Sequence, residues 1–190
     1  NIKSMGDLVS AYKANPSAVA IGGGSVPGGM DHLVAAMVMQ AAGADPTEVK
    51  YVAYDAGGKA MAALLSGEIK ALSTGFSEAV AMAKAGEANI IGVTSNDRVG
   101  AFPDAQTMKE QGIDTYFVNW RGFFAAPGLP QDKLDAYQKA IAKMYKTPEW
   151  EEVRARNGWE NIHNPGSDFM TFLEGQEKEI GDLMKKLGFL

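Results

Sequence analysis

The chain has no cysteine in 190 residues, which excludes disulfides and thiolate-held metals and leaves the redox compartment open. Histidine is nearly as scarce. His32 and His163 are the only two, which gives no support to a metal site, and no metal or cofactor is expected. Positive charge is in deficit too. Lys and Arg number 18 against 23 Asp and Glu, a formal net charge of −5, the reverse of what a nucleic-acid or acidic-membrane surface requires. No apolar run approaches the roughly 18 residues of a membrane span. The chain opens Asn1-Ile2-Lys3-Ser4, with neither an initiating Met nor a signal peptide, and reads as a processed or truncated product.

Glycine, by contrast, is plentiful, at 22 of 190 residues. It is concentrated in Ala20-Ile21-Gly22-Gly23-Gly24-Ser25-Val26-Pro27-Gly28-Gly29-Met30-Asp31-His32-Leu33. A short strand, Val19–Ile21, runs into this turn, and an apolar-striped helix comes directly after it. Such a turn exposes backbone N–H groups at a helix N-terminus, where the dipole also favours negative charge. The arrangement predicts a cradle for a carboxylate or phosphate; the plainer reading is a tight strand–helix connection. Three familiar motifs fail here. Gly23 and Gly28 have P-loop spacing, but Gly29 and Met30 stand where Lys and Ser/Thr belong. A dinucleotide fingerprint from Gly22 and Gly24 would put its third glycine on Pro27, and a nucleophile elbow at Ser25 meets the same proline. Ser25 therefore reads as a hydrogen-bond donor or a helix cap.

Elsewhere the pattern alternates. Ser4 caps a helix over Met5–Ala14; strands are predicted at Val49–Ala53, Ile69–Ser73 and Asn89–Val93, each succeeded by a turn or helix. This predicts an α/β fold, a parallel sheet with helices on both faces. In such sheets ligands collect at the carboxyl ends of the strands, which makes Tyr54 and Thr74 candidates beside the turn. After Pro103 a short helix is expected over Asp104–Gln111, then one or two strands in the aromatic stretch 116–124. The remainder is mainly helical, with one helix starting at Pro148 and ending at Gly158. Its apolar stripes have little sheet to cover, which suggests a missing partner surface.

These segments together resemble a known family. Ser25-Val26-Pro27-Gly28-Gly29-x-Asp31-His32-Leu33, Val52-Ala53-Tyr54-Asp55-Ala56-Gly57-Gly58 and Ala63-Leu64-Leu65-Ser66-Gly67-Glu68 are similar to segments of the tripartite tricarboxylate transporter receptors, the Bug family. So are Gly92-Val93-Thr94-Ser95 with Arg98, Phe102-Pro103-Asp104 with Thr107, and Asn119-Trp120-Arg121-Gly122-Phe123-Phe124-Ala125-Ala126-Pro127-Gly128; the last, with Arg156-Asn157-Gly158-Trp159, is most like the citrate branch. The resemblance implies a periplasmic binding protein of type II-like, "Venus flytrap" form. Residues 1–118 would be its second, ligand-binding lobe, and 119–190 a crossing strand and helical return into a first lobe whose N-terminal part precedes Asn1. It implies a non-enzymatic, monomeric receptor that clamps a small carboxylate, citrate-like, and delivers it to membrane permease subunits.

The expected ligand-binding residues are Gly24, Ser25, Val26, Gly28, Gly29, His32, Tyr54, Thr74 and Arg121. Gly24, Ser25, Val26, Gly28 and Gly29 would supply backbone and hydroxyl donors. His32 either donates to the ligand or packs beside the turn, and is expected to be neutral at a helix start. Arg121 either pairs with a carboxylate or braces a lobe. Asp31 reads as a partner of the helix dipole, His163 as an exposed turn residue, and Lys70, where relatives often place Asp, as a solvated side chain. An enzyme would need a general base, for which only His32 or Asp55 stands near. A structural or sensory module without ligand is the other alternative.

Overall fold

The computed structural model describes residues 2–190, which divide into two compact units: the chain up to Asn119 together with Ile180–Leu190, and Trp120–Glu179.

The first unit is built on a three-stranded parallel sheet of order β2-β1-β3, with β1 at Ile21–Gly23, β2 at Tyr51–Ala53 and β3 at Ala71–Leu72. Ile21 stands opposite both Tyr51 and Ala71. The central strand begins later than the apolar pattern suggests, because Val19 closes a 3-10 turn started by Pro16 through its N–H to the Pro16 carbonyl, 3.0 Å. Helix α1 (Met5–Ala14) starts in a reciprocal box, Ser4 Oγ accepting from Asp7 N–H and the Asp7 carboxylate accepting from Ser4 N–H. Helices α2 (Met30–Ala41), α3 (Gly57–Leu65) and α4 (Phe76–Lys84) come after the three strands in turn.

Helix α2 is buried nearly all round, Asp31 and His32 of its first turn included. Ala35, Val38 and Met39 join Leu8 and Tyr12 of α1 and Ile21 of β1 in the main core. Leu33, Ala36 and Met37 pack on Leu183, Ile180, Met184 and Leu187 near the C-terminus. Tyr12, 1% exposed, donates its hydroxyl to the Asp45 carbonyl at 2.6 Å, and burial pushes its phenol up to about 12.

The sheet is smaller than predicted. Of Asn89–Val93, only Val93 pairs, in a single parallel bridge to Thr107. Ile91's carbonyl is taken instead by the Gln111 side chain at 3.0 Å, so no ladder extends there. The expected helix over Asp104–Gln111 shrinks to a 3-10 turn at Lys109–Gln111. Thr107 and Glu110 cap each other across its start (2.8 and 3.1 Å), and Gly112 stops it at φ 78°. The stretch 116–124 forms no strand among the described residues: Thr94 makes one backbone rung, from Phe117 N–H at 3.0 Å, and one rung is not a ladder.

The second unit holds α5 (Gln131–Met144), α6 (Pro148–Asn157) and most of α7 (Ser167–Lys186). Helix α6 starts at Pro148 and stops at Gly158, as the sequence predicts; Thr147 Oγ1 caps it by accepting from Trp150 N–H at 3.2 Å, and Gly158 takes a left-handed conformation. Trp120 meets Phe169 and Phe172 edge to face, with centroids 5.4 and 5.8 Å apart. Tyr145 lies against Trp150 and His163.

Candidate functional site

Because the three strands are parallel, the turn after β1, Tyr54 after β2 and Thr74 after β3 emerge at one edge of the sheet. The close approach is set by Gly24. A Cβ there would come within 2.6 Å of the Gly57 nitrogen, which is backbone and cannot step aside. The glycine run thus lets the start of α3 close onto the turn, a role separate from exposing N–H groups.

Most of the turn's own donors are spent internally. Gly24 N–H reaches the Asp31 carboxylate at 2.8 Å, Gly28 N–H reaches His32 Nδ1 at 3.0 Å, and Gly29 N–H reaches the Val26 carbonyl at 2.8 Å. Asp31 N–H goes to Ser25 Oγ at 3.0 Å, so Ser25 acts as a cap on α2. The N–H groups of Ser25, Val26 and Met30 are left without a protein acceptor among the described residues. Val26 itself stands out at 72% exposed.

Two residues contribute more to the turn than the sequence pattern indicates. Tyr51 donates its hydroxyl to the Ser25 carbonyl at 2.8 Å, lies 3.2 Å from Ser25 Oγ, and stacks on His32 with centroids 4.6 Å apart. A tyrosine within an otherwise aliphatic strand, beside glycines that could admit its ring, was the available signal. Asp31 is more than a dipole partner: it is buried and reaches back to hold Gly24. Burial pushes its carboxyl above the ordinary 3.8, with the Glu78 charge adding to the rise, while the Gly24 and Ser25 hydrogen bonds oppose it.

His32 packs rather than points outward. It is buried between Tyr51 and Phe189, and burial holds its pKa below 6.5. With Nδ1 accepting from Gly28, the neutral ring carries its proton on Nε2. The Tyr54 hydroxyl donates to Glu68 at 2.8 Å and the Thr74 hydroxyl to Glu78 at 2.6 Å. Asp55 is ion-paired with Lys59 at the surface, and Lys70 is exposed. Arg121 belongs to the second unit, its guanidinium 5.1 Å over the Trp159 ring. His163 is exposed and leans on Tyr145 at 5.1 Å.

The sequence pattern of the tripartite tricarboxylate transporter family receptor matches residues 1–189. The chain belongs to this receptor family. A UPF0065 protein of Bordetella pertussis (strain Tohama I) is 27% identical over 183 residues, covering 96% of this chain and 55% of its own length. A TctC solute binding protein from Polaromonas superposes with a TM-score of 0.84 at 23% identity, over 98% of this chain and 62% of that one. R. palustris Rpa4515, solved with adipate, gives 0.74 at 17% identity over the same shares. The chain therefore spans little more than half the length of the curated relative it matches, and the fold is α/β of the binding-protein kind seen in these receptors. Among the described residues no helix is long and apolar enough to cross a membrane.

Proposed function

We propose that this chain is the ligand-binding part of a periplasmic solute receptor that captures a small carboxylate for a tripartite membrane transporter. Residues 1–118 would serve as the second lobe of a two-lobed clamp and 119–190 as the crossing segment and return into the first, with its last residues, Ile180–Leu190, packed back on the second lobe. The observation that carries the reading is the turn after β1 in a member of this family. Internal bonds brace it, and among the described residues the N–H groups of Ser25, Val26 and Met30 are left without a protein acceptor at one edge of the parallel sheet. A carboxylate accepting from them needs no side-chain cation, which suits a protein of net charge −5. A citrate-like tricarboxylate is the leading ligand from the sequence resemblance, and the adipate in a solved neighbour makes dicarboxylates the next to try.

Affinity should need more than this turn. Hydrogen bonds to a charged group contribute about 1.5–3 kcal/mol each, while micromolar binding requires about −8.2 kcal/mol net of ordering costs. The 190-residue chain is expected to bind citrate in the millimolar range, and a form extended to the relatives' length about a hundredfold or more tighter. Isothermal titration of both with citrate, adipate and succinate tests this. Absence of heat from both forms with every carboxylate would overturn the reading and favour a module without ligand.

A further inference from the structure

Glu78 is not among the residues that sequence reasoning assigned to the site, yet its carboxylate lies at that edge. It sits in the first turn of α4, where Thr74 Oγ1 donates to it at 2.6 Å. It also lies against the start of α3: a Cβ on Gly57 would overlap the Glu78 carboxylate oxygen, so the bare glycine is what allows the approach. Gly24 in turn packs on the backbone of Ala56 and Gly57. The acceptor-less turn and the Glu78 carboxylate are thus separated by one thickness of backbone, and Glu78 is close enough to Asp31 for its charge to be felt there.

Glu78 is exposed, so a ligand that extends from the turn past Gly57 meets its negative charge. A second carboxylate placed there would be repelled, and like charges brought together are costly in a recognition site. A hydroxyl or ammonium would instead donate to a charged acceptor, one of the stronger hydrogen bonds available. We infer that Glu78, oriented by Thr74, is a specificity-determining acceptor that selects carboxylates bearing a hydroxyl or ammonium donor near the seated carboxyl group. This deepens the proposed function and rests on it.

The test compares ligands that differ only in that donor. Amide spectra of the isotopically labelled 190-residue chain are recorded during titration with citrate against tricarballylate, and malate against succinate, with aspartate as a further arm. The Ser25, Val26 and Met30 amides should shift with each ligand. The hydroxyl-bearing partner should bind about tenfold more tightly in each pair. Glu78→Ala should bring each pair within about twofold, chiefly by strengthening the deoxy ligands, and Thr74→Val should move the ratio the same way but less. A purely structural role for Glu78 would weaken both members of a pair equally and leave the ratio alone, which would overturn the inference. Equal affinities in the unaltered chain would overturn it too. A silent turn with every ligand would instead bring down the carboxylate reading itself, and this inference with it. Aspartate exceeding malate would assign the donor as an ammonium, and the reverse order as a hydroxyl; both require the Glu78 acceptor.

Discussion

Within these 190 residues the two units hold similar side chains in different surroundings. Every buried residue among those described belongs to the first unit, and residues 120–179 contain none, although Trp120, Phe124, Trp150, Phe169 and Phe172 all lie there. In the second unit rings touch rings and remain wet; Phe123 and Phe124 are 73% and 70% exposed. In the first, aliphatic side chains of α1, β1 and α2 are covered from several sides at once. Contact between apolar groups is therefore not the same as burial. It takes a sheet face and a helix lying on it, or a helix enclosed by others, to remove a side chain from water.

The largest expected effect that could break this comparison is in the cores. Met39→Ala, at a residue 1% exposed, should cost about 2–5 kcal/mol in denaturant unfolding. Phe172→Ala in the second unit should cost only about 0.5–1.5 kcal/mol, the value of its ring contacts. Equal costs would mean that the second unit has a core of its own.

The same substitution at two glycines should then differ in sign. Gly24→Ala forces a methyl group onto the Gly57 backbone and should destabilise by about 1–3 kcal/mol. Gly175→Ala, within α7 where nothing lies within 4 Å, should stabilise by about 0.5–1 kcal/mol. Thermal midpoints of the two variants decide the matter, and a neutral Gly24→Ala would show that the turn is not packed as described.

A smaller loss, about 1 kcal/mol, is expected for Asp31→Ala, which deprives Gly24 N–H of its acceptor at a position largely removed from water. Asp31→Asn keeps an acceptor oxygen and should lose less. Unfolding midpoints that rank the two variants the other way would remove the bracing role.

The smallest effect is in pH dependence. His32 is held below 6.5 by burial, so its contribution to stability is complete above pH 6.5 and is lost as pH falls toward its folded value. Asp31, raised above 3.8 by burial, has the opposite sign: its contribution is present below 3.8 and lost as pH rises through the folded value. Unfolding midpoints tracked downward from about pH 8 should therefore start to decline near 6.5, and His32→Phe should remove that decline while keeping a ring on Tyr51. A profile unchanged by the substitution would deny His32 the part.

What could be read from the sequence were features that rest on neighbours along the chain. Ser4 before Met5–Ala14, Pro148 with Gly158, and the strand–turn–helix around Gly24 are local signals; the two helices appear where the residues place them, and the strand two residues later. The strands are shorter than their apolar patterns because strand length depends on a partner: Asn89–Val93 has the right side chains, but Gln111 takes the carbonyl at Ile91 that a ladder would need. The candidate site divides in the same way. Its turn was legible, whereas Tyr51 reaching Ser25, Asp31 reaching back to Gly24, and Glu78 resting on Gly57 are contacts across elements that no spacing announces. The sequence points to glycine as exposing the backbone; at Gly24 and Gly57 it serves chiefly to let other groups come close.

The order of the strands has a consequence in time. β1 is the middle strand, and both its partners come later in the chain, the second ending at Leu72. A chain delivered N-terminus first, from a ribosome or across a membrane, must present a further 49 residues after Gly23, through Leu72, before both neighbours exist. During that interval Ile21 has no finished sheet to join, and the residues next to emerge are glycines with little tendency to pair wrongly.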